Sequence, residues 1–300
     1  MQAILYHQYG PPEVMQISEV PVPQAKAREV RIRIKATTVT VADWRMRKAD
    51  PFLIRLINGL FRPRRAKVLG LELAGVIDQV GEEVSLFKEG DEVFTAMGIR
   101  MGAYAEYCCL PETWKMVIKP KEISFAEAAA LPIGACTALY YLKDKGQLKR
   151  GDKVLIYGAS GSVGTYSVQL AKHWGAEVTA VCSGRNVDLM RALGADEVID
   201  YTLDDFTERP IAYDVVFDAV GKITAAKGRK VLVPKGKYLS VNKGMARVTK
   251  KKLSYLKALV EEGKLRVVID RRYLLHQIVE AHHYVEQGHK IGNVAIQLMD

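Results

Sequence analysis

"LIYGASGSVG", Leu155 to Gly164, joins a short oily run to a turn of small residues, with Gly158, Gly161 and Gly164 at three-residue intervals. Glycines alone mark any tight turn, so the neighbours decide what this one is. Before it stands "KVLIY" (153–157), apolar without alternation, as suits a parallel strand covered on both faces. After it Val163, Tyr166, Leu170, Ala171 and Trp174 recur at helical spacing, and "EVTAVC" (177–182) reads as a second strand. Strand, glycine turn, helix and strand form the setting of a dinucleotide-binding turn. Gly158 and Gly161, lacking side chains, let the backbone approach a pyrophosphate, and Gly164 lets the helix pack closely on the strand. The helix mouth, with Ser160, Ser162 and Val163, offers unpaired N–H groups and a positive dipole to an anion.

The end of the second strand bears on which dinucleotide. An NAD site usually places Asp or Glu there to hold the ribose hydroxyls. This chain has Ser183, Gly184, Arg185 and Asn186. A guanidinium and a hydroxyl favour a 2′-phosphate that a carboxylate would repel, so NADPH is expected over NADH. The plainer reading, Arg185 as a solvated loop cation, stays open.

Outward from this unit the rhythm continues with "NVDLMRALG" as helix and "EVID", "YDVVFDAVG" and "KYLSV" as strands, a doubly wound α/β arrangement. The first 120 residues or so read differently. "EVRIRIKAT" alternates Val30, Ile32, Ile34 and Ala36 on one face, and "LAGVIDQVG", "DEVFTAM" and "GAYAEYCCLP" are further strands. The tail holds a helix near 276–287 and a last strand, "NVAIQLM".

Composition sets wider bounds. Apolar residues make up 49% and charged residues 26% of 300, ordinary for a water-soluble globular chain and ample for two domains. Cys108, Cys109, Cys136 and Cys182 show no C-x-x-C spacing, as expected of reduced thiols. "MQAILYHQYG" has no charged lead before an apolar run, so no signal peptide is expected. "FAEAAALPIGACTALYYL" is interrupted by Glu127 and Pro132 and is read as too broken to span a bilayer. A cytoplasmic chain without a membrane partner is expected. The net charge of +10, with clusters at "RPRRAK" (62–67) and "KKK" (250–252), would suit an anionic ligand. No aromatic platform accompanies these clusters, so nucleic acid is not expected as a partner.

"VADWRMRKADP", "LGLELAGVIDQVG", "FKEGDEVF", "GAYAEY", "AALPIGACTALYYL", "GDKVLIYGASGSVG", "LGADEVIDY" and "GHKIGNVAI" together resemble the medium-chain dehydrogenase/reductase superfamily, in its zinc-free quinone oxidoreductase-like branch. The resemblance implies a GroES-like catalytic domain at 1–123 and 270–300, a Rossmann NADP-binding domain at 124–269, and hydride transfer from a bound nicotinamide. Zinc-dependent relatives carry Gly-His-Glu where this chain has Gly70-Leu71-Glu72, a Cys near Thr40 to Asp43, and four close cysteines for a structural ion. Leu71 cannot ligate zinc and only Cys108 and Cys109 lie between Asp91 and Pro120, so no metal is expected. None of the six histidines forms a ligand pair, and His282 and His283 are read as surface residues.

Without a Lewis acid an ordinary ketone is harder to reduce. A conjugated acceptor spreads the charge left by hydride attack into an enolate or quinolate, and hydrogen bonds then suffice. This agrees with what the resemblance implies, reduction of quinones or α,β-unsaturated carbonyls. By match to its motifs, Thr137 should contact the nicotinamide, Tyr201 the adenosine phosphate, and Lys290, Gly292 and Asn293 the cofactor from the tail. Asp43, Trp44 and Tyr104 are pocket candidates, though core packing is as good a reading for the two aromatics. No acid or base stands out. A zinc-independent NADP-dependent alcohol dehydrogenase or carbonyl reductase, and a non-catalytic NADPH-binding or redox-sensing protein, remain alternatives.

In one place the chain departs from its relatives. After "KYLSV" they run through a helix and a sixth parallel strand, whereas only "NKGMARVT" (242–249) intervenes here. Eight residues cannot make a crossover. A sheet truncated to five strands, or with a vestigial sixth, is predicted. In relatives that edge strand pairs across a homodimer, so dimerisation in that mode is in doubt.

Overall fold

The computed structural model describes residues 1–244 and 246–298, with Ile57 described by its backbone alone. The chain divides into two compact units, one of residues 1–133, 249–257 and 269–300, the other of 134–248 and 258–268. Against the expected boundaries, 124–133, 249–257 and 269 belong to the first unit.

The first unit opens with a two-stranded antiparallel ribbon, β1 (Gln2–Tyr6) and β2 (Met15–Glu19). It continues through β3 (Glu29–Thr38), β4 (Glu72–Val80), β5 (Glu92–Ala96), β6 (Tyr107–Pro111) and β7 (Met116–Ile118). Val30, Ile32, Ile34 and Ala36 of β3 are buried, as their alternation requires. Between β3 and β4 lie α1 (Val41–Lys48) and the short α2 (Ile54–Asn58).

The expected break in the apolar tract does not occur. Residues Phe125–Leu139 form α3, which runs on through a π-turn to Lys145. Glu127 is no interruption: its carboxylate and the Ser124 hydroxyl cap the helix start reciprocally. Pro132 sits inside this helix, and the amide after it, that of Ile133, donates to the Glu72 side chain at 2.8 Å. The resulting helix is long and apolar enough to cross a bilayer by length and composition, and most of it is buried in the fold.

The second unit holds the parallel strands β8 (Lys153–Tyr157), β9 (Glu177–Cys182), β10 (Glu197–Asp200), β11 (Tyr213–Asp218) and β12 (Leu232–Ser240). Their order is β10-β9-β8-β11-β12, a doubly wound sheet whose direction of winding reverses beside β8. Its helices are α4 (Ser162–His173), α5 (Val187–Ala192) and α6 (Ala225–Arg229). The truncation is as the short segment requires: among the described residues, 242–249 leads from β12 to α7 (Lys250–Glu261) with no sixth strand. The chain then returns to the first unit as β13 (Ile269–Leu274), α8 (Ile278–Glu286) and β14 (Asn293–Gln297). β14 closes antiparallel onto β3, completing the order β13-β14-β3-β4-β5-β7, with β6 also on β3.

Candidate functional site

In the second unit, the ends of three adjacent strands gather the residues picked out in the sequence. β8 ends at Tyr157, and Gly158 turns the chain with φ +73°, a left-handed conformation that side chains rarely adopt. A Cβ there would also meet Val220 Cγ1 at 2.6 Å. The Gly158 and Ala159 amides donate to Val181 O, each at 3.0 Å, which ties the turn to β9. Gly161 caps α4 with no side chain on the first-turn amides, and the first helical bond is Thr165 N to Gly161 O at 2.9 Å. Gly164 is the packing glycine: a Cβ on it would sit 2.3 Å from Gly158 O. At Gly161 the nearest atom would be 3.5 Å away, leaving open the space in front of the helix mouth. Ser160, Ser162 and Val163 are half-buried around that mouth.

At the end of β9, Gly184 and Arg185 are exposed, while Ser183 is half-buried. Asn186 is buried, donating from Nδ2 to Ser183 Oγ at 3.1 Å. Its Oδ1 is enclosed without a hydrogen-bond donor, an acceptor matched to a ribose hydroxyl. The carboxylate near this corner, Asp200, accepts from the Thr202 amide and hydroxyl at 3.0 and 2.7 Å, and these bonds hold it below the usual carboxylate range. Tyr201, at the end of β10, donates its amide to Cys182 O, and its half-exposed ring lies 6.2 Å from that of Tyr157. A glycine cradle that side chains would fill, a helix N-terminus capped by glycine and an orphaned acceptor all fit a dinucleotide. Thr137 lies half-buried on α3 in this same unit.

The first unit carries a buried polar cluster that the sequence reading had not assembled. Glu72, at the start of β4, is enclosed; Thr38 donates to its Oε1 at 2.5 Å and the Ile133 amide to its Oε2 at 2.8 Å. Burial, with a smaller push from Asp43, raises its carboxyl to about 7. Lys290, before β14, is within electrostatic reach of Glu72 and donates to Gly292 O. Loss of hydration lowers its ammonium to about 8, against the pull of Glu72 and Asp270. Gly292 has φ +58°, and Asn293 is buried at the start of β14. Glu72 had been read only as the partner of a missing zinc ligand. The signal was there in "LGLELAGVI", a lone carboxylate inside an apolar strand.

Two of the pocket candidates, Asp43 and Tyr104, lie buried in the core. Asp43 is fully buried and structural: Oδ2 accepts from the Thr40 amide and hydroxyl at 2.8 and 2.6 Å, closing the N-terminal cap of α1. Its Oδ1 accepts from Gly70 N at 3.0 Å, and burial raises its carboxyl to about 6. Tyr104 is a core aromatic, its hydroxyl 3.2 Å from both Thr38 O and His282 Nε2. Trp44 is half-buried on the same core, with Arg45 5.6 Å from its ring centre.

The histidine reading is corrected as well. His283 is exposed and bonded to Glu13, but His282 is fully buried edge-on to Tyr104. Burial beside Arg47 holds its imidazole well below the usual value, so it is neutral. Arg47 is likewise buried, paired with Glu286 and donating to Gly10 O at 2.7 Å. No three His, Cys, Asp or Glu side chains converge as a metal ion would need, among the described residues.

Family models match both parts of this architecture, "Alcohol dehydrogenase GroES-like domain" over residues 26–121 and "Zinc-binding dehydrogenase" over 162–271. The chain is 35% identical to the 2-methylene-furan-3-one reductase of Solanum lycopersicum, over 99% of this chain and 79% of that protein. It belongs to the medium-chain dehydrogenase/reductase superfamily, in the quinone oxidoreductase-like branch. The NADPH-dependent alkenal/one oxidoreductase of Arabidopsis thaliana is 32% identical, over 99% of this chain and 79% of that one. Among solved structures, the quinone oxidoreductase of Coxiella burnetii superposes with a TM-score of 0.85 at 30% identity, covering 100% of this chain and 99% of that one. The second family model takes its name from zinc, and Leu71, beside the buried Glu72, has no atom that could ligate the metal.

Proposed function

We propose that this protein is a zinc-independent, NADPH-dependent oxidoreductase that reduces quinones or α,β-unsaturated carbonyls. The observation that carries the reading is the pair formed by the glycine cradle and the Ser183–Asn186 corner, where a guanidinium stands at the strand end usually given to a carboxylate. The names of the similar reductases, one of them NADPH-dependent, support it. When bound, the reduced nicotinamide supplies a hydride to the conjugated acceptor. The chain's own part is mostly positioning. The amides at the mouth of α4 bind the pyrophosphate, Arg185 and Ser183 select the 2′-phosphate, and Asn186 Oδ1 takes a ribose hydroxyl. The proton that completes the reduction comes from water or a nearby hydroxyl. The four cysteines form no disulfide, which supports a reducing, cytoplasmic setting.

The test is oxidation of NADPH and of NADH with 1,2-naphthoquinone and with a simple enone, in the presence of a chelator. NADPH should be preferred at least tenfold, and Arg185→Ala should remove most of that preference while leaving the NADH rate unchanged. Equal use of the two cofactors by the native protein would overturn the Arg185 assignment. Chelator-resistant turnover of simple aldehydes in place of enones would favour a carbonyl reductase.

A further inference from the structure

The segment Pro51 to Val68, "PFLIRLINGLFRPRRAKV", is used by nothing described above. Phe52, Leu53, Leu56, Leu60 and Phe61 are 46–86% exposed, and they are five of the fourteen large exposed apolar residues among the described ones. Scattered exposed apolar residues need no explanation; five within ten positions form a patch that does.

The backbone presenting them is held firmly. The Asn58 side chain donates to Tyr6 Oη at 2.9 Å and accepts from Ala66 N at 2.8 Å, while Asn58 O accepts from Arg64 N at 2.7 Å. These bonds close residues 59–63 into a loop with Leu60 and Phe61 on its tip. The Tyr9 hydroxyl donates to Gly59 O at 2.7 Å, and Gly59 has φ +127° with no room for a Cβ beside Arg62 O. The fold therefore builds the exposure of these side chains.

The same segment carries Arg55, Arg62, Arg64, Arg65 and Lys67 and no acidic residue. Arg62, Arg64, Lys67 and His7 line a hollow of about 240 Å³. Arg64, Arg65, Lys67 and Arg100 line a second, of about 590 Å³, next to the exposed Ile99. We propose that this face docks the protein on the surface of an anionic phospholipid bilayer, with Phe61, Leu60 and Leu56 entering the acyl boundary and the arginines holding lipid phosphates. An apolar tip ringed by cations without carboxylates is complementary to that surface. It suits a second copy poorly, which would set five cations against five. Docking at a surface needs no spanning segment.

The experiment is co-sedimentation of the full chain with vesicles of 70% phosphatidylcholine and 30% phosphatidylglycerol, and with pure phosphatidylcholine vesicles. Binding to the anionic vesicles is expected to exceed binding to the neutral ones at least tenfold and to weaken with salt. Leu56→Ser combined with Phe61→Ser, and separately Arg62→Glu with Arg64→Glu and Arg65→Glu, should each lower it at least tenfold with unaltered thermal melts. A Phe61→Trp variant should show a blue-shifted emission on anionic vesicles. No binding to anionic vesicles would overturn the proposal, as would binding that the serine variants leave unchanged, which is adsorption by charge alone. A dimer mass by light scattering that the serine variants abolish would assign the face to a second copy, and equal affinity for single-stranded nucleic acid would assign it to that polymer.

Discussion

Glu72 shows how a fold sets the chemistry of one carboxyl. Enclosed at the start of β4, it is held by Thr38 and by the Ile133 amide, and burial raises it to about 7. A carboxyl raised from 4.5 to about 7 favours the folded state in its neutral form. Its contribution is whole below the unfolded value near 4.5 and is lost as pH rises through 7. At 1.36 kcal/mol per pH unit, full ionisation costs the native protein on the order of 3 kcal/mol. Glu72→Gln stays neutral throughout, so urea unfolding at pH 5 and pH 8 should show the variant gaining on the native protein by most of that amount. The Thr38 hydroxyl can reverse its bond to suit the amide. An equal gap at the two pH values would mean that Glu72 is ionised in the fold across this range. Little of this was legible in the sequence. A carboxylate in "LGLELAGVI" announces a buried acid, but its partners come from β3 and from the middle of α3. The same holds for Tyr104 and His282, which meet across 178 positions. Side chains with both a polar and an apolar part read equally well as pocket or core until their neighbours are known.

At the scale of elements the sequence was far more legible, because strand, turn and helix are local. The roles of the three glycines in the β8–α4 turn were readable from spacing, and the structure separates them by the room each has. Gly164→Ala drives a Cβ to 2.3 Å from Gly158 O, backbone against backbone, and should cost about 1–3 kcal/mol in a thermal or urea melt. Gly161→Ala has 3.5 Å to the nearest atom and a φ of −77° that alanine accepts, so it should cost at most about 1 kcal/mol, the loss of a good cap residue. Its methyl nevertheless stands where a pyrophosphate would meet the α4 amides, and NADPH affinity measured by fluorescence titration should fall at least tenfold. A Gly161→Ala protein that binds NADPH normally would remove the phosphate from this turn. Pro132 and Glu127 misled for a related reason. Composition marks both as breakers, whereas a capping box makes Glu127 part of a helix that runs on through Pro132.

At the scale of the whole molecule, the feature with the widest consequence is the outer edge of the second unit's five-stranded sheet. β12 is the last strand on that side among the described residues, so its outward backbone groups have no strand to pair with. Such an edge invites a partner chain unless it is blunted. Here its first half breaks register against β11, which pairs Leu232 with Tyr213 and next Lys237 with Val215. The excess residues bulge, Lys235 takes φ +70°, and the Lys237 ammonium is turned back to Gly146 O and the Gln147 side chain at 2.9 and 2.8 Å. A bulge and two lysines are a common means of keeping an edge unpaired. Hydrogen exchange should therefore find the outward amides of 232–240 exchanging quickly, while those of β8 and β11, inside the sheet, stay protected. Protection of the β12 edge that grows with protein concentration would show the opposite, that two copies join their sheets there despite the missing sixth strand. Its absence would leave the five-stranded sheet ending at solvent, as the eight residues from Asn242 to Thr249 require.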